Sequence, residues 1–134
     1  MTVFVDTSAI YAVLDRDDSN HPAAARIWTG LVNDDTHLLT SNYVLLESAA
    51  LVQHRLGIQA LRALEEKMFP MFDVEWIGAA PHRRAMDAVL AAARTKLSLV
   101  DCVSFHVMRE FGIRTAFCFD KHFREQGFES PADY

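Results

Sequence analysis

The stretch "FVDTSAIYAVL", Phe4 to Leu14, decides how this chain is read. An apolar run stops at Asp6, Thr7 and Ser8, and apolar residues resume behind them at helical spacing. Val3 to Val5 therefore reads as a buried strand and Ser8 to Leu14 as a short helix, with a carboxylate standing where the strand ends. A second segment, "TAFCFDKHF" from Thr115 to Phe123, repeats the device near the other end of the chain: a strand over Thr115 to Phe119, then Asp120.

Between these two segments the apolar periodicity divides the chain into alternating strands and helices. The solvated loop "DRDDSN", Asp15 to Asn20, leads into a helix capped by Ser19 or Asn20, with Pro22 in its first turn, that runs to about Asn33. His37 to Thr40 is a brief strand. The helix after it begins near Ser41 or Asn42, carries Val44, Leu45, Leu51, Val52 and Leu56, and ends at Gly57. Ile58, Leu61, Leu64 and Met68 mark one further amphipathic helix, with Arg62, Glu65, Glu66 and Lys67 on its solvated face. Phe72 to Ile77 reads as a strand. Helices over about His82 to Thr95 and Leu99 to Phe111 precede the strand at Thr115, and a turn and short strand close the chain near Phe128. This alternation predicts an α/β fold, a three-layer α/β/α sandwich around a mainly parallel sheet.

A chain of 134 residues without repeats or linker-like tracts is expected to form one domain over residues 1–134. At that length roughly 65 to 70 % of the unfolded surface can be buried. With 51 % hydrophobic and 23 % charged residues, the composition excludes a disordered or fibrous chain. No apolar run approaches the roughly 20 residues of a membrane span, and no leader pattern opens the chain, so a cytoplasmic location is expected. Cys102, in a predicted helix, and Cys118, in a predicted central strand, form no C-x-x-C pair or zinc spacing and read as small buried residues. The net charge of −5 argues at first against a nucleic-acid ligand. With four of the 18 acids gathered in one site, however, 14 remain against 13 basic residues and the rest of the surface is nearly neutral.

In a parallel α/β sheet, ligands bind outside the carboxyl ends of the strands, where Asp6 and Asp120 stand. Crossover helices begin at that same edge, which brings in two more acids. Glu47 lies roughly 8 Å along its helix, at 1.5 Å per residue, among Tyr43, Val44, Ala50 and Leu51, with nothing basic placed to pair with it. Asp101 falls in the first turn of its own helix. Each acid also has a plainer reading: Asp6 and Asp120 as helix caps, Ser98 with Asp101 as a capping box, and Glu47 as a side chain that snorkels to water. Four carboxylates packed together resist full ionisation, and a hard dication bound through oxygen would relieve them. Mg2+ or Mn2+ is the expected ion, since the six scattered histidines show no zinc-ligand spacing.

These segments resemble the PIN-domain family, specifically the small VapC-type ribonuclease toxins of bacterial toxin–antitoxin pairs. The likeness is carried by "FVDTSAI", "NYVLLESAALVQHRLG", "LSLVDCVSFHVMREFGI" and "AFCFDKHFREQGF", in order along nearly the whole chain. It implies that Asp6, Glu47, Asp101 and Asp120 are the catalytic, metal-holding acids and that Ser8 supports the first of them. It implies an Mg2+- or Mn2+-dependent endoribonuclease that leaves 5′-phosphate and 3′-hydroxyl ends, a small antitoxin partner and a homodimer. "DSNHPAA", around His21, also looks like the family, although a histidine there suits a helix start or a packing role equally. Lys96, Lys121, His122 and Arg124 flank the acidic motifs and are candidate phosphate contacts. Two rivals stand beside the nuclease: a PIN-fold module that binds RNA or protein without cutting, and a response-regulator receiver domain. The intact quartet argues against the first. The second expects an acidic pair after the first strand and an isolated lysine after the last, and this chain has "VDTS" and no clear equivalent of that lysine.

Overall fold

The computed structural model describes residues 1–93 and 96–131. Four strands, β1 (Thr2–Val5), β2 (His37–Ser41), β3 (Asp73–Glu75) and β4 (Thr115–Phe117), form one all-parallel sheet in the order β3-β2-β1-β4. Parallel neighbours need crossover connections, and each crossover here contains two helices. These are α1 (Thr7–Leu14) and α2 (His21–Asn33), then α3 (Asn42–Leu56) and α4 (Ile58–Ala63), then α5 (Ala79–Ala92) and α6 (Leu99–Glu110). Helix α7 (Lys121–Glu125) follows β4.

Strand β1 lies between β2 and β4, with Val3 opposite both Leu38 and Thr115. It is covered on both faces by the flanking helices, which is why Val3, Phe4 and Val5 form a continuous apolar run rather than an alternating one; all three are fully buried. Helix α6 contributes Cys102, Val103, Phe105, Val107 and Met108 to the same core. Phe123 of α7 meets Phe105 edge-on, with ring centroids 5.1 Å apart, and also packs on Phe4 at 6.4 Å. This aromatic cluster holds α6 and α7 against β1 and so fixes the helices that carry Asp101 and Asp120.

The structure departs from the periodic reading at several element ends. The helix expected from Ile58 to Met68 regularises only as far as Ala63, then widens into a π turn over Leu64–Met68 and a 3-10 turn over Phe69–Met71. Leu64 and Met68 both reach the core through the widened turn, and Pro70, which has no N–H to donate, ends it. Gly57 ends α3 as expected, at a φ of 88° that favours glycine. Strand β3 covers only Asp73–Glu75 of the stretch Phe72 to Ile77, because the Ile77 N–H leaves the sheet and donates to Asn42 Oδ1 at 2.7 Å. Helix α5 starts at Ala79, three residues before His82, with Pro81 in its first turn where no N–H partner is required; Thr95 lies outside the described residues. Asn20 occupies the N-cap position of α2, but its side chain makes no capping bond. Strand β4 is the last of the four strands rather than a central one, and the short strand expected near Phe128 is a single parallel bridge between Thr115 and Glu129.

Candidate active site

The chain leaves β1 for β2 on one side, while β4 arrives on the other side of β1. That reversal opens a crevice beyond the carboxyl ends of β1 and β4, the switch point at which open α/β sheets bind ligands. Asp6 is the first residue past β1, and its N–H donates to Phe117 O of β4 at 3.0 Å. Its side chain caps α1: Oδ2 accepts from the Ser8 N–H at 3.1 Å and from the Ser8 hydroxyl at 2.6 Å. Ser8 Oγ accepts in turn from the Phe119 N–H at 2.9 Å. One hydroxyl therefore orients the first acid and ties the loop after β1 to the loop after β4. Thr40 supports the same edge from β2 by donating to Val5 O at 2.8 Å.

Asp6 is only 4 % exposed. Burial pushes its carboxyl up to about 7; the two Ser8 bonds oppose this, and the charges of Asp101 and Glu47 add to it. Asp101 is also buried, and it forms a complete capping box with Ser98, whose N–H donates to Asp101 Oδ2 at 3.0 Å while Ser98 Oγ accepts from the Asp101 N–H at 3.1 Å. Burial raises the Asp101 carboxyl, the Ser98 backbone bond opposes, and the Asp120 charge raises it further. Asp120 caps α7 by accepting from the His122 N–H on Oδ1 at 2.9 Å. Glu47 sits half-buried on α3, and its charge reaches Asp6.

The four sequence-predicted acids thus form a coupled series: Asp6 feels Glu47 and Asp101, and Asp101 feels Asp120. Capping and clustering, opposed as readings of the sequence, hold at once. Each cap engages one carboxylate oxygen of Asp6, Asp101 or Asp120, and a carboxylate has lone pairs left over for an ion on either oxygen. The closest grouping of ligand atoms leaves out Asp6 and Glu47 and contains a residue that the quartet omits. One oxygen each of Asp101 and Asp120 and a ring nitrogen of His122 lie within 4.8 Å of one another. Such a set of oxygen and nitrogen donors, Asp101 and His122 buried and Asp120 half-buried, suits a dication.

His122 corrects the expectation that it belongs with the surface cations. Lys96, Lys121 and Arg124 are exposed, whereas His122 is 6 % exposed. It also qualifies the argument that no histidine is placed as a ligand. The available signal was its position two residues after Asp120 and next to Phe123, on the inner side of a one-turn helix. His21 takes the plainer of its two roles: it opens α2 and its Nδ1–H donates to Ala12 O at 2.8 Å. Burial keeps the thiols of Cys102 and Cys118 protonated, with Cys118 pushed up to about 12, in keeping with small core residues.

Comparison with known proteins identifies the family and the fold. The chain is 33 % identical over 127 residues to the 23S rRNA-specific endonuclease VapC20 of Mycobacterium tuberculosis, covering 94 % of this chain and 95 % of the relative. The crystal structure of VapC20, described as a sarcin-ricin loop cleaving toxin, superposes with a TM-score of 0.82 at 32 % identity, over 94 % of this chain and 95 % of that one. PAE2754 of Pyrobaculum aerophilum and FitAcB of Neisseria gonorrhoeae share the fold at TM-scores of 0.65 and 0.66, with 17 % and 15 % identity, covering 97 % of this chain in each case and 89 % and 96 % of theirs. The PIN domain family model matches residues 3–129, which span all four acids and the sheet from Val3 onward, and the chain belongs to the PIN-domain family.

Proposed function

We propose that this protein is a metal-dependent endoribonuclease and the toxin of a toxin–antitoxin pair. The observation that carries the reading is the series Glu47, Asp6, Asp101 and Asp120 at the sheet's switch point, with Asp6 and Asp101 buried and Glu47 and Asp120 half-buried beside them. Burying carboxylates as anions is costly, and a bound cation offsets that cost. Asp6, Asp101 and Asp120 would hold an Mg2+ or Mn2+ ion, with Glu47 completing the site. Such an ion supplies Lewis-acid polarisation of a phosphodiester and lowers the pKa of water enough for attack at neutral pH.

The protein's own groups do the positioning. Ser8 locks Asp6 through Oδ2, and Ser98 locks Asp101, so the carboxylates would receive the ion without reorganising. The phosphate is drawn to the crevice only when the acids are neutralised, which makes RNA binding and metal binding interdependent. The similarity to VapC20 makes loops of 23S rRNA the first substrate to test. A ribosomal substrate would be met in the cytoplasm; no described helix is long and apolar enough to cross a membrane. Exposed Leu46, Trp76, Leu90 and Phe111 offer apolar surface for an antitoxin and for a second copy of the chain.

The test is cleavage of a pool of structured RNAs, including ribosomal loops, by chelator-treated protein with and without added Mg2+ or Mn2+. Discrete cuts with 5′-phosphate ends that need the ion are the expected result. Binding of RNA without cleavage in either ion would favour a non-catalytic binding module.

A further inference from the structure

We propose that His122 supplies a nitrogen ligand to the metal held by Asp101 and Asp120, and that it biases the site toward a first-row transition-metal dication over Mg2+. The proposal rests on the metal-dependent reading above and adds a donor type that a four-carboxylate site lacks. His122 Nε2 stands 3.7 Å from Asp120 Oδ1, longer than a hydrogen bond. Two ligands at about 2.1 Å from one octahedral ion stand roughly 3 to 4.2 Å apart, so the spacing suits a shared ion better than a direct bond. The ring is 6 % exposed, too buried to reach a substrate phosphate, and Nδ1 has no hydrogen-bond partner.

Behind the imidazole, Glu125 Oε1 lies 3.6 Å from Nδ1. At that distance the carboxylate is an ion-pair neighbour rather than a hydrogen-bond partner, and a shift of about 0.5 Å would give the far nitrogen the carboxylate support usual for a metal-bound histidine. The backbone holds the ring in place as well. The His122 N–H caps on Asp120, and the next residue, Phe123, is 1 % exposed and wedged between Phe4 and Phe105. Mg2+ prefers oxygen donors and retains its waters, whereas imidazole nitrogen suits transition-metal ions. Replacing one oxygen donor by His122 therefore weakens the site for Mg2+ relative to Mn2+.

The experiment uses the full chain, stripped with chelator, and measures Mn2+ and Mg2+ affinity by calorimetry for the wild type and for His122→Gln and His122→Phe. Mn2+ affinity should fall at least tenfold in both variants while Mg2+ affinity changes less than threefold. An unchanged Mn2+ to Mg2+ preference in a folded variant overturns the proposal, as does an equal loss for both ions, which a purely structural role would produce. Pulsed electron paramagnetic resonance of wild-type protein loaded with Mn2+ decides the matter if the variants do not fold. Modulation from a directly bound imidazole nitrogen is expected, and its absence overturns the assignment. Wild-type protein that cuts RNA with Mn2+ bound but without nitrogen coupling would leave the nuclease reading standing and remove only His122. Protein that binds neither ion would remove both.

Discussion

Replacing Asp6 with asparagine should stabilise the metal-free protein at pH 8 and leave it little changed at pH 4. Asp6 is buried, and its carboxyl is pushed from 3.8 up to about 7, chiefly by burial. A carboxyl whose value is higher in the folded than in the unfolded chain holds a proton between those limits that the unfolded chain has released. Its contribution is therefore fully present below about pH 4 and is lost as pH rises through 7. Three powers of ten at about 1.4 kcal/mol each give an upper limit of about 4 kcal/mol for the charged form. Asparagine avoids that cost and keeps an oxygen that can accept from the Ser8 N–H and hydroxyl, so the helix cap survives. The assay is urea unfolding of chelator-treated wild type and Asp6→Asn at pH 4, 6 and 8. Acid effects common to both proteins cancel in the difference, which should grow with pH to about 2 to 4 kcal/mol in favour of the variant. Parallel profiles, or a variant less stable than wild type at pH 8, would refute the claim that a buried anion strains this site. Added Mn2+ at a hundred times its dissociation constant should restore about 2.7 kcal/mol to the wild type and less to the variant.

Asp101→Asn should bring RNA cleavage to background while circular dichroism stays unchanged, since the amide oxygen can still accept from the Ser98 N–H; undiminished cleavage by the folded variant would contradict its role. Excess chelator should abolish cleavage, and Mg2+ or Mn2+ should restore it in the same gel assay. Ser8→Ala removes the hydroxyl bonds to Asp6 and Phe119 and should cost about 1 to 3 kcal/mol in urea unfolding, with reduced metal affinity by calorimetry. Phe123→Ala should cost about 3 to 5 kcal/mol by the same unfolding measurement, because it empties the contact between Phe4 and Phe105.

Much of this protein was determined within short windows of its sequence. A continuous apolar run ending in an acid marks a buried parallel strand, and the residues at Asp6, Ser98 and Asp120 can cap a helix because capping joins side chain and backbone two or three positions apart. Such interactions are local, so Val3 to Val5, the start of α6 and the acidic ends of β1 and β4 were all legible. The ends of α4 and β3 were not, because they depend on what reaches the core and on a hydrogen bond from Ile77 to Asn42, far away in the chain. The candidate site itself required the tertiary structure. Only the strand order puts β4 beside β1, which lets one Ser8 hydroxyl serve both Asp6 and Phe119. Burial of His122 likewise follows from the docking of Phe123 on Phe4 and Phe105, which joins β1, α6 and α7. No window of sequence contains those contacts, because they exist only once distant apolar surfaces have left water together.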